Sequence, residues 1–111
     1  MRELLNIKKD KVENFTKAFN EAIKEKLNKV NLVVFVCIGT DAVIADSLGP
    51  IIGTKLTPYE KWTVSVYGTL HDPITAKNAN NYAEFPDDTL VVAIDATIHE
   101  IDPGSIIVAE E

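Results

Sequence analysis

The sequence predicts an α/β fold with a mostly parallel sheet covered on both faces, a three-layer α/β/α sandwich. Three observations lead there. Two short runs, Leu32–Ile38 and Leu90–Ile94, are apolar throughout and rich in β-branched residues, the mark of strands buried on both faces. Helix-like and strand-like segments alternate, which implies crossover connections between parallel strands. The length of 111 residues suits a single α/β domain over 1–111.

The first expected element is a helix from about Asp10 to Leu27. Val12, Phe15, Phe19, Ala22, Ile23 and Leu27 recur at spacings of three and four and line one face. Asp10 is a candidate N-cap, and Lys24 and Lys26 suit the negative end of the helix dipole. The apolar strand Leu32–Ile38 follows and stops at Gly39-Thr40-Asp41, a loop signal. A second helix is expected over about Ser47–Leu56. Asp46 or Ser47 can cap it, and Pro50 is tolerated in its first turn. Thr63–Tyr67 reads as a strand ending at Gly68. Asp72-Pro73 reads as N-cap and first residue of a third helix reaching about Tyr82, with Asn78, Asn80 and Asn81 weakening its end. Leu90–Ile94 is the second buried strand, Asp102-Pro103-Gly104 a turn, and Ser105–Val108 a last short strand.

Composition narrows the function classes. Eleven basic and seventeen acidic residues give a net charge of −6, which argues against nucleic acid or an anionic membrane as partner. The single cysteine, Cys37, excludes an intrachain disulfide and a cysteine-based zinc site. Its place inside a strand makes it a core residue, and a reducing, cytoplasmic location is expected. The opening MRELLNIKKDK lacks a signal-peptide core, and no apolar run is long enough to span a bilayer. There is no Gly-x-Gly-x-x-Gly motif, no P-loop, and no Gly-x-Ser-x-Gly around Ser47.

Ligands of open α/β sheets bind beyond the carboxyl ends of the strands. Two loops leave such ends here, Gly39–Pro50 and Asp95–Thr97, and they bring Asp46 and Asp95 into question as a pair. Two neighbouring carboxylates titrate as a unit, one keeping its proton. Such a pair can activate water against a carbonyl, or hold a divalent metal that does so. Each also has an ordinary reading, Asp46 as a helix cap and Asp95 as a turn residue. Thr40, Asp41 and Ser47 in the first loop, and His71 after the Thr63–Tyr67 strand, are candidate substrate contacts. Asp41 also suits a loop bonded to its own backbone, and His71 and His99 could complete a carboxylate-rich metal site. No cofactor is required by the residues.

Val36-Cys-Ile-Gly-Thr-Asp41, Asp46-Ser-Leu-Gly-Pro50 and Gly53-Thr-Lys-Leu56 resemble the opening motif of the YyaC-type sporulation proteins, relatives of the spore germination protease. Val66-Tyr-Gly-Thr-Leu70 with Ala76-Lys-Asn78, and Ala93-Ile-Asp-Ala96, resemble that family's later blocks. The resemblance implies a phosphorylase/hydrolase-like fold shared with hydrogenase maturation proteases. The germination protease degrades small acid-soluble spore proteins through two aspartates, which by motif fall on Asp46 and Asp95. A sporulation-associated peptidase acting on protein or peptide is the function implied. The maturation proteases hold nickel with carboxylates and a histidine, and no histidine here matches that one. Three departures stand out. Ala42-Val-Ile-Ala45 is apolar where the family is usually polar, Thr97 replaces a usual cysteine, and the family continues past the last strand. These departures keep a second expectation open: a non-catalytic interaction protein, pairing with a partner or as a homodimer through strand edges.

Overall fold

The computed structural model describes residues 2–82, 84–97 and 103–110, with Asp10 described by its backbone alone. The fold is mixed α/β. The chain forms two compact units, Val30–Thr97, and Met1–Lys29 together with Ile98–Glu111.

The unit Val30–Thr97 is built on a three-stranded parallel sheet in the order β3-β2-β4. Strand β2 (Leu32–Cys37) is central, flanked by β3 (Val64–Tyr67) and β4 (Thr89–Ile94). In register, Val34 lies beside Ser65 and Val91, and Val36 beside Tyr67 and Ala93. Continuous apolarity suits β2 because both its faces are covered. Val34 and Val36 are buried with Ile74, and Leu32, Ile38, Ala79, Tyr82 and Phe85 pack around them. Alternate residues point the other way, and there Cys37 meets helix α2 (Leu48–Leu56) at Gly53. A Cβ on Gly53 would stand 1.8 Å from the Gly68 carbonyl oxygen. Only glycine lets the helix approach the strand ends this closely.

The helix expected over 72–82 does not form. Ala79–Tyr82 make one short 3-10 turn, and Ile74 instead pairs with Ile38 as a parallel bridge extending the β2 ladder. Ile74 is fully buried in that position, and apolar burial outweighs the weak helical preference of Ala-Lys-Asn-Ala-Asn-Asn. Asn78 completes the alternative. Its side-chain carbonyl accepts from the Thr75 N–H at 2.8 Å, and its amide donates to the Pro73 carbonyl at 3.3 Å. The face opposite α2 is therefore covered by irregular chain, with Tyr67 packed against Tyr82 and Phe85 at ring separations of 5.3 and 6.4 Å.

The other unit pairs β1 (Arg2–Ile7) with β5 (Ile106–Glu110) in a two-stranded antiparallel sheet. The last strand thus does not join the parallel sheet. Helix α1 (Phe15–Leu27) packs on β1 and follows a 3-10 segment, Lys9–Asn14. Asn14, not Asp10, is its N-cap, and the side chain of Asp10 lies outside the described residues. Phe15 and Phe19 stack at 5.2 Å on its apolar face, yet no residue of α1 is fully buried. Glu110 binds both Arg2 and Lys26, which holds its carboxyl below the usual range, chiefly through the Lys26 hydrogen bond.

Candidate functional site

The backbone at the carboxyl ends of β2 and β4 brings the two aspartates toward each other. The Ile38 N–H donates to the Ile94 carbonyl at 2.8 Å, so Asp95, the next residue, begins where the two strands end together. On the β2 side, Gly39 donates to the Ile74 carbonyl at 2.8 Å and turns the chain outward with φ +146°. The loop then closes on itself: the Thr40 N–H donates to the Asp46 carbonyl at 2.9 Å. A Cβ on Gly39 would lie 2.2 Å from that same carbonyl oxygen. Gly39 is therefore required both by its backbone angle and by the closure that returns Asp46 to the strand ends.

Asp46 closes the 3-10 turn Ile44–Asp46, fixed by its N–H to the Val43 carbonyl at 2.9 Å. It does not cap α2. The N-cap position is Ser47, and no side chain caps the helix. The Ser47 hydroxyl donates instead to the Ile44 carbonyl at 2.7 Å. Asp46 is half-buried and Asp95 exposed at its strand end. Partial loss of water raises the Asp95 carboxyl above its ordinary range, and the Asp46 charge raises it further, against the lowering effect of the Ala96 N–H. The two side chains thus act on each other electrically.

The other residues singled out from the sequence have different surroundings. The Thr40 hydroxyl accepts from the Ala42 N–H at 3.2 Å and is used in shaping the loop. Asp41 is exposed at the start of that loop's turn. His71 is exposed in the loop leaving β3, on the far side of β2 from β4. His99 and Asp102 lie outside the described residues. Cys37 is fully buried, and that burial pushes its thiol up, as suits a core residue.

Among the described residues no three His, Cys, Asp or Glu side chains are placed to hold a metal ion. The carboxylate pair alone does not supply the three protein ligands of a catalytic zinc-type centre. Two concavities, one lined by Lys8, Lys9, Pro103 and Ser105 and one by Glu60–Trp62, Val64 and Ser65, include neither aspartate. No helix among the described residues is long and apolar enough to cross a membrane.

Two features were not singled out from the sequence: the Gly39 closure and the return of Ile74 to the sheet. The Gly-Thr-Asp loop signal marks the first, but nothing local marks its contact partner seven residues on.

The pattern of a protein family described as "Protein of unknown function (DUF1256)" matches residues 5–111. The chain is 40% identical over 73 residues to "Uncharacterized protein YyaC" of Bacillus subtilis (strain 168). That alignment covers 62% of this chain and 36% of the relative, so the chain spans about a third of the relative's length. No solved structure matches the chain.

Proposed function

This chain belongs to the DUF1256 family, of the YyaC type, and from that premise we propose that it is a peptidase-like hydrolase in which Asp46 and Asp95 share one proton. The supporting observation is the raised Asp95 carboxyl beside the Asp46 charge. In this reading the active form is the one in which Asp95 carries the shared proton and Asp46 is the carboxylate, a form that fills as pH falls toward the raised Asp95 range. Asp46 takes a proton from a water as its oxygen attacks the peptide carbonyl carbon. Asp95 donates a hydrogen bond to the carbonyl oxygen as it becomes negative. On collapse, the C–N bond breaks and Asp46 returns the proton to the departing amine. No step is routed through a metal, since the described residues do not make a three-ligand site. The finer fold expectation, a hydrolase-type three-layer sandwich, belongs to the same proposal. Its support is the parallel β3-β2-β4 order with α2 on one face and Ile74, Ala79, Tyr82 and Phe85 on the other. So do a cytoplasmic location and a sporulation-associated protein or peptide substrate.

The test is turnover of an unfolded protein by the wild-type chain, read by mass spectrometry across pH. Asp46→Asn and Asp95→Asn are each expected to lower the rate about 10²- to 10⁴-fold while the circular dichroism spectrum is unchanged. Turnover that survives in both variants, or none in the wild type, defeats the proposal.

A second reading, a non-catalytic interaction module, is favoured by the exposed apolar turn that leads into Asp46. Peptide capture without cleavage would identify it.

A further inference from the structure

The turn leading into Asp46 is apolar and held outward. Ile44 is 92% exposed, Val43 55% and Leu48 49%. Single exposed apolar residues are ordinary on protein surfaces; three within six positions, on a braced turn, are a patch. The brace is explicit: the Ile44 carbonyl accepts both the Ser47 hydroxyl at 2.7 Å and the Ser47 N–H at 3.2 Å, and the Val43 carbonyl accepts the Asp46 N–H. These bonds hold the Ile44 backbone in the turn that positions Asp46, with its side chain 92% exposed. Charge completes the picture. No Lys or Arg occurs between Lys29 and Lys55, while Asp41 and Asp46 bracket the apolar residues and Asp95 follows the end of β4, where the Ile94 carbonyl accepts the Ile38 N–H.

We infer that Val43 and Ile44 form a recognition subsite of the carboxylate pair, selecting an extended peptide with an apolar side chain flanked by basic residues. The inference rests on the hydrolase reading only for its location. The apolar side chain lies against Ile44, and the basic neighbours are drawn to Asp41, Asp46 and Asp95. Pinning by the Ser47 bonds means little ordering is needed on binding.

The test uses the whole chain and three labelled, unstructured dodecapeptides: a central Leu flanked by Lys, a central Gln flanked by Lys, and a central Leu flanked by Glu. Anisotropy reads binding, and mass spectrometry of the same samples reads cleavage. The Leu–Lys peptide is expected to bind about tenfold more tightly than either other peptide. Ile44→Ser should remove the preference for Leu over Gln while the thermal midpoint stays unchanged. Equal binding of the Leu–Lys and Gln–Lys peptides overturns the inference, as does a preference that survives Ile44→Ser. Concentration-dependent self-association abolished by Ile44→Ser also overturns it, by making the turn a contact between copies. The expected binding with no cleavage would leave the subsite standing and sink the hydrolase reading alone.

Discussion

The two compact units solve the problem of burial differently. In Val30–Thr97, a central strand is covered on both faces, Val34 and Ile74 are almost wholly buried, and α2 meets the strand ends through glycine. In the unit of Met1–Lys29 and Ile98–Glu111, a two-stranded ribbon carries a helix with no fully buried residue. Their acidic groups differ in the same sense. Glu110 is paired with Arg2 and Lys26 and its carboxyl is lowered, whereas Asp95 is opposed by Asp46 and its carboxyl is raised. The candidate chemistry sits in the tightly packed unit, where a rigid scaffold can hold an unfavourable pair of charges together.

That contrast can be broken most severely at Gly53. Gly53→Val places side-chain carbon where the Gly68 carbonyl already stands, and the expected loss is about 3 kcal/mol or more in urea denaturation. A loss under 1 kcal/mol would show that α2 shifts freely and that the packing difference is overstated. A paired truncation comes next. Val34→Ala should cost about 2–3 kcal/mol because the site is fully enclosed, and Ile23→Ala on half-buried α1 about 1 kcal/mol. Equal costs would erase the distinction.

The smallest effect sharpens the electrostatic side. Because the Asp95 carboxyl is raised in the fold, its contribution favours the folded state in acid and is lost as pH rises through its folded carboxyl range. Asp95→Asn should therefore stabilise the chain at neutral pH, by about half a kcal/mol at most given solvent screening. The gain should vanish in acid, below the ordinary aspartate range. Thermal melts of both chains across that interval check it, and a variant destabilised at neutral pH would contradict the reading of Asp95 as a strained charge.

Legibility followed the same division. Strand β2 was readable because two covered faces demand an unbroken apolar run, and Asp95 was readable as the charge that ends the second such run; β4 itself is an edge strand with no buried residue and Val91 exposed, so its apolar run overstated its burial. Strand β1 was not readable. Arg2-Glu-Leu-Leu-Asn-Ile7 mixes charges with apolar residues, as a half-exposed ribbon strand allows. Its partner lies about a hundred residues away. Asp72-Pro73 carried a helix-start signal, but Asp72 is spent on a turn with Thr69, whose N–H and hydroxyl meet the Asp72 carbonyl and N–H. A non-local contact, Ile74 beside Ile38, decided that segment, and no periodicity encodes it. Asp46 as a helix cap was a fair local reading. The structure removes it because the loop closure sets Ser47 at the helix start.

The detour between β3 and Ile74 has a consequence for engineering and for natural drift. Gly68 is pinned beneath α2, and Ile74 is anchored next to Ile38, so Thr69–Pro73 hang from two fixed posts. Residues added there open the Thr69–Asp72 turn but lengthen a surface excursion without sliding any strand past its neighbour. A reporter peptide grafted between Leu70 and Asp72 would be displayed at the same end of the sheet as the aspartates, leaving the hydrophobic interior intact.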